Sequence, residues 1–358
     1  MQSITNWFKR QFANPQVVFL ALFLVGVFAA LMFAGDMLVP VIAGAIIAYL
    51  LEGVVRVLER RRVPRLLAVF VVFLLFMLFL TLIIFVLLPQ LSKQLTQLVQ
   101  QIPVMLGEGQ RALLRLPERY PEVISTVQMT EVISEIRSEV TDFGQRALSW
   151  SVSSVVGLIT LLVYFILLPI LVFFFLKDKE KIVNWFARFL PKDYHLAEKV
   201  WNDVDRQIGN YIRGKFWEIL IVWLATFVTF TLLDLNFAML LSVLVGLSVL
   251  IPFVGAAVAT VPVALIALFQ FGWSAEFAYV ITAYLVIQGL DGNLLVPLLF
   301  SEVVNLHPIA IIVAVLFFGG LWGVWGVFFA IPLATLVQAV ITAWPKGGSP
   351  PDEAAVTP

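Results

Sequence analysis

The chain has 358 residues, 61% of them hydrophobic and only 13% charged, about half the charge content of an ordinary soluble domain. Lys and Arg number 23 and Asp and Glu 23, so overall electrostatics give no case for a nucleic-acid partner. The absence of cysteine excludes a disulfide, a thiolate metal site and a thiol nucleophile.

Segments without Asp, Glu, Lys or Arg cover 11–35, 37–51, 66–92, 147–176, 219–233, 235–275, 277–290 and 309–344. A bilayer core needs roughly 20 apolar residues per helix. The pattern therefore predicts an all-α integral membrane protein with about eight transmembrane helices and the lipid bilayer as its first partner. The first run follows Lys9 and Arg10 and is long for the apolar region of a signal peptide, so it reads as a retained first helix. Residues 1–89 then hold transmembrane helices 1 to 3, with an outer turn at Gly35 and Asp36. Arg56, Arg60, Arg61, Arg62 and Arg65 crowd the connection after the second run. Cytoplasmic loops collect such residues, which places this loop and the N-terminus inside and Gln90 outside.

Residues 90–146 carry no positive excess, as an extracytoplasmic insert should. Leu91, Leu95, Leu98 and Ile102, and again Val132, Ile136, Val140, Phe143 and Ala147, recur at helical spacing and predict two amphipathic helices. Pro103, Pro117 and Pro121 punctuate the stretch between them. Stripes of this kind ordinarily face other protein, here each other or a neighbouring subunit; a lid over a pathway is the sharper alternative. A fourth span, 147–176, leads to a second cytoplasmic segment, 177–215, with nine basic and six acidic residues. In it Val200, Val204, Ile208 and Tyr211 or Ile212 mark an amphipathic helix that runs into the fifth span. Pro191 separates that helix from a shorter one holding Ile182, Phe186 and Phe189.

The run GNYIRGKFW, residues 209–217, imitates a phosphate-binding loop. Such a loop needs a strand before it and a Ser or Thr after the lysine; here WNDVDRQI has helical spacing and Phe216 follows Lys215. Tyr211, Arg213, Gly214 and Lys215 instead form a membrane-entry motif or hinge. The cations snorkel to headgroups, the glycine permits close helix contact, and Glu218 is positioned to pair with Lys215.

Residues 216–345 form a C-terminal transport unit. Its uncharged run 235–275 would span about 62 Å as one straight helix and 309–344 about 54 Å, against roughly 30 Å of hydrocarbon. Both are predicted to break, the first at Pro252, Gly255 and Pro262, the second at Gly319, Gly320, Gly323, Gly326 and Pro332. VPVALIAL from Val261 and IPLATLVQ from Ile331 give the two runs similar second halves, like the discontinuous helices of transporter binding sites. Simple kinking for close packing is the competing reading. Between the runs, Asp291 is a candidate for ion or proton coupling with Asn293 and Gln288 in its shell, although span counting also allows it an outer-surface position. His307 and His195 are too separated to make a metal cluster, and no metal site or cofactor is expected. Residues 346–358 read as a disordered tail.

LKD at Leu176, YIRGK at Tyr211, IPFVG at Ile251, DGNLLVP at Asp291, NLHP at Asn305 and FGGLWGVWGVFFAIPLA from Phe318 resemble the autoinducer-2 exporter family of permeases, PerM-type members above all. The resemblance covers essentially the whole chain. It implies transport of a small molecule or ion, since relatives are assigned autoinducer-2 export or exchange of sodium or lithium for protons. It also implies homo-oligomers, pentamers among them, and elevator-like movement of a C-terminal unit.

The expected function is thus a secondary transporter of the bacterial cytoplasmic (inner) membrane, with both termini cytoplasmic. The alternative is a scaffold or channel-like protein that binds a partner through the insert. An enzyme is not expected: Gly-x-Ser-Gly, His-Glu-x-x-His and paired membrane aspartates are all missing from the sequence.

Overall fold

The computed structural model describes residues 15–114, 134, 138, 155–188, 195–252, 254–300 and 306–343. Among these every regular element is a helix. In chain order they are α1 (Pro15–Arg60), α2 (Arg65–Leu82), a π-helical turn (Ile83–Leu87), α3 (Leu88–Leu114), α4 (Val155–Lys177), α5 (Lys179–Ala187) and α6 (His195–Leu232). There follow α7 (Ala238–Ser248), α8 (Val254–Phe271), α9 (Ala275–Leu290), a second π-helical turn (Asp291–Leu295), α10 (Val296–Phe300) and α11 (Pro308–Ala343).

Among the described residues six helices are long and apolar enough to cross a membrane: Met37–Arg60, Arg65–Arg111, Asp205–Leu232, Val254–Phe271, Ala275–Phe300 and Trp325–Thr342. Phe165–Lys177, Ala238–Ser248 and Pro308–Gly323 are shorter apolar helices. Leu74, Leu78 and Phe85 are more than half exposed, and a row of large apolar side chains pointing outward is what a lipid solvent requires.

Two sequence expectations are corrected here. The outer turn at Gly35 and Asp36 is absent, because α1 continues through both residues and through Pro40. One charge and one glycine do not break a helix in an otherwise apolar run. Pro103 likewise does not end the first insert helix; α3 continues to Leu114. Val132, Ile136, Val140, Phe143 and Ala147 of the second insert stripe, with Pro117, Pro121, Pro191 and the tail, fall outside the described residues.

The chain divides into two compact units. One comprises residues 1–73, 167–216 and 297–358, the other 74–166 and 217–296. In the first, Arg62 takes a left-handed conformation (φ 68°) that ends α1. Glu52, 7% exposed, accepts from Arg56 (3.4 Å), Arg65 (3.4 Å) and Lys179 (3.1 Å). Arg65 also reaches Glu59 and the Leu176 carbonyl, 3.2 and 3.1 Å away. The arginine-rich connection is therefore pinned to α1 through the Glu52 carboxylate, which Lys179 of α5 also reaches, and to α4 through the Leu176 carbonyl; the cations satisfy a buried charge that would be costly alone.

The core of the second unit gathers Val222 and Phe230 of α6, Leu241 and Val245 of α7, Val263 and Ile266 of α8, and Val280 and Tyr284 of α9. Gly246 lets α7 lie against α6, since a Cβ there would come 2.8 Å from that of Trp223. Gly272, at φ 63°, stops α8 as a left-handed glycine commonly does. The Ser274 side chain then accepts from the Phe277 amide (3.4 Å) and caps α9.

Candidate translocation site

The two overlong apolar runs are helical hairpins, one in each unit. In the second unit α7 ends at Ser248 and α8 begins at Val254. Leu241, Val245 and Val249 share a core with Ala259, Val263, Ile266 and Ala267, so the arms fold back on each other. Pro252 sits in the connection. Gly255 opens the second arm, where a Cβ would overlap the Ser248 carbonyl. Pro262 does not break the helix; it lies inside α8.

In the first unit α11 bends at Gly323, whose φ of 59° and ψ of −136° are non-helical. Ala314 and Phe318 pack with Ala330, joined by Trp322, Leu333 and Ala334. Gly326 begins the returning arm, and a Cβ on it would overlap the Phe318 carbonyl. Gly319 faces Val327, whereas Gly320 has open space around it. Pro332 lies inside the second arm.

A proline in a helix removes the amide that would bond to the carbonyl four residues earlier. For Pro332 that carbonyl belongs to Phe328, and the Tyr211 hydroxyl donates to it at 3.4 Å. In apolar surroundings a freed carbonyl must find such a donor.

Tyr211 thus has a role beyond membrane entry, and its neighbours explain the rest of that motif. GNYIRGKFW is helical throughout, inside α6. A Cβ on Gly209 would strike the Tyr49 ring, and one on Gly214 would come 2.6 Å from the Phe300 ring. Phe300 also lies 5.8 Å from the Tyr211 ring and 5.4 Å from the Lys215 ammonium. Arg213 donates to Asn210 (2.9 Å) and lies over Tyr49 at 5.8 Å. The glycines admit aromatic rings to the helix surface. Lys215 and Glu218 are 5% and 2% exposed, so neither snorkels freely; each is built into protein.

Asp291 opens the second π-helical turn and is half-buried. The Gln288 amide nitrogen donates to the Tyr284 hydroxyl (2.7 Å), which donates to the Ala256 carbonyl (3.1 Å); the Asn293 amide nitrogen donates to Gly289 (2.8 Å). One N–H of each amide is therefore committed one turn back. Among the described residues no group of three or more His, Cys, Asp and Glu is placed to hold a metal ion.

Sequence reasoning missed Phe300, Tyr49 and Tyr284. Tyr284 carries the strongest retrospective signal, a tyrosine one turn before Gln288 in a run otherwise short of polar groups.

A family described as AI-2E family transporter matches residues 18–346. The chain belongs to this family. It is 45% identical over 347 residues to the candidate permease PerM of Escherichia coli (strain K12), covering 97% of this chain and 98% of that one. The candidate transport protein YueF of Bacillus subtilis (strain 168) is 27% identical over 314 residues, 86% of this chain and 84% of the relative. The AI-2 transport protein TqsA of Escherichia coli (strain K12) is 23% identical over 334 residues, 93% and 94% of the two chains. The AI-2E family is a family of membrane transporters and not of enzymes, and this chain is a multi-pass member of it.

Proposed function

We propose that the protein is a secondary transporter of the bacterial inner membrane, in which the two glycine-proline hairpins expose a small molecule or ion alternately to the two sides. The observation that carries this reading is the duplication: each compact unit holds a hairpin whose returning arm starts at a glycine pressed on a carbonyl and contains a proline. Repeated, interrupted helices are the architecture in which transporters build midplane sites.

Two of the chain's four passages between units fall at Phe216 and Trp217 and at Val296 and Pro297. The first passage directly follows Tyr211–Lys215, and the second directly follows the π-helical turn that contains Asp291. The second is suited to absorb an elevator-like displacement, because π-helical turns concentrate at functional sites. Glu52 and its arginines face the cytoplasm in this reading, as does the C-terminus, and residues 90–146 face outward. α1 makes no turn at Gly35 and Asp36, so the span count carries the orientation from the arginine-rich connection onward. The copies assemble as homo-oligomers, pentamers following the family resemblance.

Purified protein in proteoliposomes should give saturable, gradient-sensitive flux of at least one of autoinducer-2, sodium or protons. Absence of flux for all three under imposed gradients would sink this reading of the cargo. In the active preparation Asp291→Asn should reduce ion-driven flux without loss of assembly; unchanged pH and sodium dependence would remove Asp291 from the mechanism.

A further inference from the structure

Where α7 begins and α8 ends, away from the 249–253 turn of the hairpin, the second unit carries a cavity that the transport reading does not use. Gln94, Gln97, Gln100 and Gln101 of α3, with Asn236 and Phe237, line an open pocket of about 380 Å³. An adjoining lobe of about 220 Å³ is lined by Gln101, Met105, Glu108, Asn236, Phe269 and Gln270 among others. The larger lobe alone falls in the range of roughly 300–1,000 Å³ usual for small-molecule sites.

The wall opposite α3 is built at a cost. Asp234 and Phe237 both adopt left-handed backbone, at φ 50° and 60°. Such backbone is costly for residues other than glycine and persists only where its surroundings hold it. They do so here. Gln270 accepts from the Asn236 amide (2.7 Å) and donates to the Asp234 carbonyl (2.6 Å), clamping the turn from both sides. Gln94 accepts from the Leu240 amide (2.8 Å) and fixes the start of α7 to α3. With Gln94 and Gln270 committed to scaffold, Gln97, Gln100, Gln101 and Asn236 remain to present amides to the space.

A carboxamide donates two hydrogen bonds and accepts two, so four of them match groups that are both donor and acceptor, which hydroxyls are. The larger lobe has no charged lining residue, and the smaller has only Glu108, which disfavours an anion. Phe237 and Phe269 add apolar faces. We infer that this cavity binds a neutral, hydroxyl-rich molecule of monosaccharide to disaccharide size, through the amides of Gln97, Gln100, Gln101 and Asn236. In the orientation proposed above the cavity opens outside the cytoplasm, beyond the Leu232 end of α6, where such a molecule would be met in the periplasm.

The test is ligand-detected NMR on the full-length protein in nanodiscs, with D-ribose, xylitol and methyl α-D-glucoside as neutral probes and glutamate and choline as charged ones. At least one neutral probe should give saturable contact at millimolar concentration, and Q97L/Q101L should weaken it at least tenfold. The charged probes should bind at least tenfold more weakly. A thermal unfolding curve shows whether Q97L/Q101L folds, and Gln100→Leu alone replaces it if not. Silence from all neutral probes, equal binding of the charged ones, or unchanged affinity in the folded variant would each overturn the assignment. Because binding is read without a gradient, its failure is distinct from failure of flux.

Discussion

The hairpin of α7 and α8 and the hairpin within α11 solve one problem with different turns. In the first, five residues separate the arms and Pro252 stiffens the connection. In the second, a single glycine, Gly323, takes the whole change of direction while its neighbours stay helical. What they share is the seam, where Gly255 meets the Ser248 carbonyl and Gly326 meets the Phe318 carbonyl. The comparison teaches that backbone approach is fixed while turn chemistry is free to vary.

The strongest way to break that conclusion is to put a methyl group into each seam. A carbonyl oxygen cannot swing aside as a side-chain end can, so Gly255→Ala and Gly326→Ala must part the arms. Overpacking typically costs about 1–3 kcal/mol, and a backbone obstacle belongs at or above the upper end. Both variants should lose most thermal stability and flux, to a similar extent. If one tolerates alanine, the shared-seam reading fails for that hairpin.

A smaller loss is expected at the turn, and there the hairpins should differ. Gly323 has room for a Cβ, but its φ of 59° with ψ of −136° is backbone that residues other than glycine rarely adopt. Gly323→Ala should cost about 1–3 kcal/mol, read as a fall in unfolding temperature. Gly320→Ala, also unobstructed but with no positive φ, should change stability by no more than about 0.5 kcal/mol. Equal effects would show that space rather than conformation governs this turn.

Much of this architecture is legible in the sequence because membrane helices announce themselves by length and by missing charge. That the run 235–275 and the run 309–344 cannot be single rods follows from 1.5 Å per residue alone. Which glycine makes the seam and which makes the turn does not follow, since GGLWGVWG offers four glycines and only coordinates separate an obstructed one from an open one. Pro262 and Pro332 have the sequence character of breakers, yet both lie within helices; at Pro332 a tertiary partner, the Tyr211 hydroxyl, satisfies the carbonyl that the proline releases. The partner that Gln288 takes is equally hidden. Gln288 is near Asp291 in sequence, but its donor turns to Tyr284, a preference set by packing.

The hinge residues test whether close approach also governs α6. Gly214→Leu must displace the Phe300 ring, and a ring can move where a carbonyl cannot, so the loss should be milder than at either seam. Arg213 bonds within its own helix to Asn210 and overlies Tyr49. Arg213→Gln should therefore impair flux less than Gly214→Leu, with both proteins still assembled. Wild-type flux in both variants would make this stretch a passive anchor.

The smallest effect separates the two prolines. Tyr211 serves the carbonyl that Pro332 frees, so Tyr211→Phe should cost about 1 kcal/mol, and less once Pro332→Ala restores an amide to Phe328. Tyr284 instead serves Ala256, whose helical donor is Thr260 and not Pro262, so Tyr284→Phe should cost the same with or without Pro262→Ala. A double-mutant cycle on unfolding temperature resolves the first coupling if it reaches about 0.5 kcal/mol. Additivity in both pairs would mean that the Tyr211 hydroxyl does not answer the proline, and that Pro332 is tolerated for some other reason than the partner α6 supplies.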